Sequence, residues 1–375
     1  MSRTGGFLAH PGDKMFGMFT ADSLRRHAPP ARLVDPADIA DAAIPAAPVG
    51  LRRRACLGWL GLSALAASGC VPAPRPPLTV GFNAWVGYDP LVLARDRRLL
   101  EPAAVKVIEL PTAADTQRHL RNGLLDAAGL TLDEALRLAD GGLDLHIVAV
   151  CDTSEGSDVV MAAPTIQAVR DLAGAFVAVE DSSVGALLLQ RMLESAGLDR
   201  TAVKVVNLEA TLHLAALQAG EVAAAVSYAP LAGELAVAGF RPLFDSRQIP
   251  GEIVDVLAVR ASVAQERPDA VDALLRGWYG GLSGLQRDPA GAAQLLAPGT
   301  DLRPDDYLAV LGGLRFLDLR ESLAWLRPQP GPAPAGGEAV VGALKRMGLL
   351  ARAPDWARLL DPAPAERLLA AGGAP

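Results

Sequence analysis

The 375-residue chain has little of what metal centres and nucleophilic sites are usually built from. It holds three cysteines (Cys56, Cys70 and Cys151) and five histidines (His10, His27, His119, His146 and His213). None of these falls at CxxC, zinc-finger or helical metal-ligand spacing, so neither a disulfide framework nor a zinc site organises the fold. No metal and no cofactor is expected. Cys151 ends the apolar run 145–150 and reads as a buried, inert thiol. Lysine is confined to Lys14, Lys106, Lys204 and Lys345, and the net charge is −7. That balance excludes a nucleic-acid groove and a polybasic membrane face, both of which need clustered cations. The apolar run 55–67 is too short to cross a bilayer comfortably. The patterns GxxxxGK[ST], HExxH, GxSxG and GxGxxG are absent after any plausible strand. P-loop, zincin, α/β-hydrolase and dinucleotide chemistry therefore have no foothold in the sequence.

What is present is a large apolar fraction, 51% against 21% charged. That is enough for an extensive core, and at this length for two lobes. The stretch GFNAWVGYDPLVLA at 81–94 reads as strand, aromatic turn and helix, and it has an echo. Lys106-Val107-Ile108 recurs as Lys204-Val205-Val206 and Val86-Gly87 as Val184-Gly185, both displaced by 98 residues. Leu120-Arg121-Asn122-Gly123 recurs as Leu217-Gln218-Ala219-Gly220, displaced by 97. A period near 100 is too long for a solenoid unit and fits a duplicated lobe.

Residues 1–50 are rich in Ala, Pro, Asp and Gly with no sustained period, the composition of a disordered leader. A true start near Val49 is the alternative. Residues 51–70 read as a signal peptide, with Arg52-Arg53-Arg54 as the basic region and 55–67 as the apolar one. Ala67-Ser68-Gly69-Cys70 resembles the lipobox of bacterial lipoproteins, which makes Cys70 the expected lipidation site; Ala67 stands where Leu is usual. An ordinary secreted protein cut nearby is the plainer reading. Residues 71–77 (VPAPRPP) form an extended Pro-rich spacer.

From residue 78 the pattern is that of an α/β protein. Strands are expected over 78–82, 105–110, 124–130 and 145–150, alternating with helices over 91–100 and 112–120 and one opened by a Thr131/Glu134 capping box. A loop follows at 151–158, and 159–163 is expected to cross to the second lobe. There the order repeats, with strands at 176–179, 203–208 and 222–227, and a return strand at 254–259. The tail beyond 263 reads as an all-helical appendage on the first lobe. The expected lobes are 78–160 plus 248–375 and 161–247.

In open parallel sheets, ligands bind where strand carboxyl ends lead into helix N-termini. The turns that would line such a cleft carry Asn83, Trp85 and Tyr88; Thr131; Asp152, Ser154 and Asp158; Ser182, Ser183 and Gly185; and Tyr228. Ser182 and Ser183 stand at a helix start, where hydroxyls, free N–H groups and the helix dipole suit an anion. Capping is the plainer role for these serines and for Thr131. Trp85 and Tyr88, placed in a turn, suit a flat ligand group.

The segments GFNAWVGYDPLVLAR, LRNGLLDAAGLTLDEAL, VEDSSVGALLLQRMLESAGL, LQAGEVAAAVSYAP and FDSRQIPGEIVDVLAVR, with the signal and lipobox, resemble the type II periplasmic substrate-binding proteins of bacterial ABC importers. The likeness is to the nitrate, sulfonate and taurine branch, which includes the thiamine-pyrimidine-synthase-like proteins, and covers about 78–350. It implies a two-lobed fold, mostly parallel in each lobe with helices on both faces, and hinges near 159–163 and 244–252. It further implies a small organic ligand touched by Asn83, Trp85, Thr131, Ser182, Ser183 and Tyr228, permease and ATPase partners, and a lipid-anchored place in the cell envelope. The motifs leave the ligand open, its anionic character being expected from Ser182 and Ser183 alone, and a monomer is expected. The pyrimidine synthases use a cysteine-rich motif and an active-site His that this sequence lacks, so no enzyme is expected. A ligand-sensing subunit for a membrane receptor is the alternative, and a biosynthetic enzyme of the same fold the remoter one.

Overall fold

The duplicated segments fold as the same unit twice. The computed structural model describes residues 75–180, 184–300, 302–328, 331 and 333–372, all within the unit Pro74–Pro375. The leader, the signal segment with Cys70, the first four spacer residues, and Ser182 and Ser183 lie outside the described residues.

The first unit runs β1 (Leu78–Asn83), α1 (Asp89–Asp96), β2 (Val105–Leu110), α2 (Ala113–Arg121) and β3 (Ala127–Thr131). Local chemistry sets these bounds. Pro90 opens α1 in the first turn, where a missing N–H costs nothing, and the Thr112 hydroxyl accepts from the Asp115 N–H to cap α2. Strand β1 pairs in parallel with both β2 and β3. Next come α3 (Leu132–Asp140), β4 (Leu145–Ser154) and β5 (Asp158–Ala162). The unit then repeats as β6 (Phe176–Val179), α4 (Gly185–Ser195), β7 (Lys204–Asn207), α5 (His213–Gln218) and β8 (Ala224–Tyr228). Here β6 pairs in parallel with β7 and β8, and β8 lies 97 residues after β3 at both ends.

After α6 (Leu231–Val237) and β9 (Arg241–Asp245), β10 (Val254–Arg260) returns to the first sheet. There follow α7 (Ala261–Glu266), α8 (Pro268–Arg287), α9 (Pro289–Leu296), α10 (Pro304–Leu311), β11 (Leu314–Phe316), α11 (Leu319–Leu326), α12 (Gly337–Arg346), α13 (Trp356–Leu359) and α14 (Ala363–Ala370). The sheets are ordered β11-β4-β10-β3-β1-β2 and β7-β6-β8-β5-β9.

Five expectations are corrected. Both sheets are mixed rather than mostly parallel, because β10 and β5 insert antiparallel beside β3 and β8. The expected loop 151–158 is mostly strand: β4 continues through Ser154 because β10 and β11 pair with it there. The chain therefore crosses between the sheets over 155–157, and 159–162 is part of β5 rather than the crossing itself. The tail is not all helical, since β11 forms an edge of the first sheet. Nor does it rest on one lobe alone, because α12 packs on both α3 and α4, and Arg346 Nε reaches Glu194 Oε1 of α4 at 3.1 Å. Among the described residues no helix is long and apolar enough to cross a membrane.

Candidate functional site

A narrow cavity of about 30 Å³ opens between the ends of the two sheets. Asn83, Trp85, Tyr88 and Thr131 line it from the first unit, and Val184 and Tyr228 from the second. Glu134, Asp158 and Asp255 complete its polar wall, with Ala113 beside them.

The duplication accounts for this convergence. Thr131 ends β3 and Tyr228 ends β8, and each is met by the antiparallel strand inserted next to it. Asp255 of β10 is the register partner of Thr131, and Asp158 of β5 is the partner of Tyr228. The two aspartates thus occupy equivalent positions in the two sheets, facing one cavity.

Asp255 holds the aromatic wall. Its Oδ2 accepts from Trp85 Nε1 at 2.7 Å and its Oδ1 from the Tyr88 hydroxyl at 2.9 Å, all three residues being buried. The turn between β1 and α1 can approach because Gly87 has no Cβ; one placed there would lie 2.3 Å from Trp85 Nε1 and 2.7 Å from Asp152 Oδ2. Trp85 meets Tyr228 edge-on, with ring centroids 5.7 Å apart at 84°. Burial raises the Tyr228 hydroxyl, and the Asn83 side chain beside it works against that rise.

The Thr131/Glu134 cap is formed, Glu134 Oε2 accepting from the Thr131 N–H at 3.0 Å. Gln117 Nε2 donates to Glu134 Oε1 at 3.2 Å, and the Thr131 hydroxyl donates to Asp133 Oδ1 at 2.6 Å. Asp158 differs. It is only 3% exposed, yet its Oδ2 accepts no hydrogen bond from any described residue.

Burial dominates the electrostatics. It pushes Asp158 up to about 7, against the Ser154 hydroxyl, with Asp255 and Asp133 adding repulsion. Burial likewise raises Asp255, to about 6, while Tyr88 and Trp85 hold it down as donors. Glu134 lies well above the usual carboxylate range, through burial and then the neighbouring Asp133. Asp152, paired with Asp255 across β4 and β10, is raised well above it too, by burial and then by the Asp255 charge. Two adjacent buried carboxyls cannot both ionise cheaply, and Asp255, with its two donors, is the better placed to hold charge.

Asn83, Trp85, Tyr88, Thr131, Asp158 and Tyr228 of the expected contacts thus come together on one cavity. Asp152 and Ser154 do not: being in β4 rather than a loop, Asp152 is fully buried behind Gly87, and the Ser154 hydroxyl lies 2.8 Å from that of Ser246 and accepts from the Asp158 N–H. Gly185 is buried in the first turn of α4, behind Val184. Sequence reasoning missed Asp255 and took Glu134 for a cap alone. An acid inside the apolar run 254–259 was the available signal for the first. No Lys, Arg or His lines the cavity among the described residues, so the anion-binding character expected of Ser182 and Ser183 has no counterpart in the described wall. Nor is any group of three or more His, Cys, Asp or Glu side chains among those residues arranged to hold a metal ion.

A model of the NMT1-like family matches residues 71–294, more than half of the chain. The chain belongs to the NMT1-like family. A comparison with curated protein sequences finds no match. Among solved structures, the chain is similar to the ligand-binding component of an ABC-type import system from Staphylococcus aureus, at 13% identity and a TM-score of 0.65, covering 78% of this chain and 98% of that one. It is also similar to the alkanesulfonate-binding protein SsuA from Xanthomonas axonopodis pv. citri, at 23% identity and a TM-score of 0.64 over 78% and 98%. The desulfurization enzyme DSZB shares the fold as well, at 18% identity and a TM-score of 0.58 over 80% and 100%. The architecture is therefore that of the two-lobed type II periplasmic binding proteins, a fold that serves both binding proteins and an enzyme.

Proposed function

We propose that this protein is the solute-binding component of an ABC importer, capturing a small organic solute between its two lobes and handing it unchanged to permease and ATPase subunits. The observation that carries the reading is the cavity itself: equivalent strand ends of two duplicated sheets meet around it, with aromatic side chains from both units and buried polar groups that fix orientation. The fold's relatives include an import-system component and a sulfonate-binding protein, which supports the same role. The protein acts as a monomer tethered at the cell envelope by lipid on Cys70, with 71–77 as spacer.

A thermal-shift screen of amines, amino acids, sulfonates, carboxylates and pyrimidines tests the reading. A ligand at a hundredfold over its dissociation constant adds about 2.7 kcal/mol, which raises the melting temperature by a few degrees. The ligand should be recovered unaltered; chemical change on incubation would favour an enzyme. Cys70→Ala should move the protein from the membrane fraction to the soluble periplasm, and an already soluble parent protein would refute the anchor.

A further inference from the structure

The cavity's charge points to a ligand class different from the one the sequence suggested. We infer that the solute carries a cationic nitrogen, an ammonium or amidinium on a flat body, seated between Asp158 of the second sheet and Asp255 and Glu134 of the first, with the flat part against Trp85 and Tyr228. The inference rests on the solute-binding reading and names the chemistry of that same site.

Three carboxylates reach one small cavity, and no Lys, Arg or His among the described residues lines it. Two of the three are already committed. Asp255 accepts from Trp85 and Tyr88, and Glu134 from Thr131 and Gln117. Asp158 is not: the residue lines the cavity, and its buried Oδ2 has no donor among the described residues. A buried acceptor without a donor costs roughly 1–3 kcal/mol, more when it is charged, and a bound N–H donor recovers that cost. A sulfonate or carboxylate would worsen it by adding like charge in a medium of low dielectric. Asp158 and Asp255 also come from opposite sheets, so bringing the lobes together brings their charges together. A cation between them offsets that repulsion, so its binding energy favours the closed arrangement directly. The edge-on pair of Trp85 and Tyr228 adds π surface, on which a cation or a delocalised planar group is favoured.

Benzamidine, benzamide and benzenesulfonate share a ring and differ in charge, which makes them suitable probes for calorimetry on the full chain. Benzamidine should bind at least tenfold more tightly than benzamide, and benzenesulfonate should give no heat. In D158N the ratio between benzamidine and benzamide should collapse toward one. The wild-type ranking stands as a test even if that variant fails to fold. A preference for benzenesulfonate, an unchanged ratio in D158N, or no binding by any of the three overturns the cationic assignment. Binding of benzenesulfonate alone would leave the solute-binding reading intact. Silence from the whole screen of amines, amino acids, sulfonates, carboxylates and pyrimidines would sink that reading instead.

Discussion

Asp255 sits in the middle of an otherwise apolar strand, and its carboxylate is tolerated there because two buried donors, Trp85 Nε1 and the Tyr88 hydroxyl, meet its two oxygens. The sequence announces the acid but not its partners, which lie 170 and 167 residues away. It equally announces Asp152, yet of this register pair only Asp255 lines the cavity. As register partners the two side chains share a face of the sheet, and Asp152 is the one set behind Gly87. Tyr88→Phe isolates one of the two donors. With Asp255 raised to about 6, the lost bond is to a charged acceptor at pH 8 and to a largely neutral one at pH 5. Urea unfolding should therefore show a loss of about 1.5–3 kcal/mol at pH 8 and about 1 kcal/mol or less at pH 5. An equal loss at both would mean that Asp255 does not carry the charge.

At the scale of elements, the two parallel strand–helix units were legible because each strand is a short apolar run closed by turn or cap chemistry. Two of the strands that were missed, β9 and β11, lack that signature. β11 is three residues long and exists through pairing with β4, a contact that no local pattern encodes. Helix α8 shows a further dependence on contact. A Cβ on Gly281 would lie 1.9 Å from the Pro90 carbonyl oxygen of α1, whereas one on Gly280 would meet only Leu99 Cδ1 at 3.6 Å. Gly281→Ala should cost about 3 kcal/mol or more, since backbone must move to admit it. Gly280→Ala, one position away on the same helix, should be neutral or stabilising by up to about 1 kcal/mol. Thermal melts of the two variants give the comparison, and similar behaviour would argue against the close crossing of α1 and α8.

For the whole molecule, the buried carboxyls make stability depend on pH in a direction opposite to that of most surface acids. Asp158 and Asp89 at about 7 and Asp255 at about 6 all lie above the ordinary 3.8. Glu134 of the cavity wall, and Asp133 and Asp152 buried behind it, are shifted the same way. The folded state thus binds more protons than the unfolded chain between about pH 4 and 7, and its stability is lost as pH rises through that window. Acids held low by partners, such as Asp115, Asp140 and Asp199, act only at lower pH. The unliganded protein should melt several degrees lower at pH 8 than at pH 5. Saturating benzamidine should reduce that fall, because a cation favours the ionised form. A melting temperature that rises from pH 5 to pH 8 without ligand would contradict the burial of these charges.

The sequence by itself determined the two-lobed α/β architecture, the near-98-residue duplication, the caps of α2 and α3 and most of the aromatic and polar cavity wall, because each is written in local periodicity or in a repeat that can be aligned without a fold. Only the tertiary structure decided that β5 and β10 insert antiparallel, that β4 runs on past Cys151, and that Asp158 and Asp255 arrive at equivalent strand positions facing one cavity. Those outcomes rest on register between strands far apart in the chain. A carboxylate's charge, and hence the ligand it suits, is set by what that register buries around it.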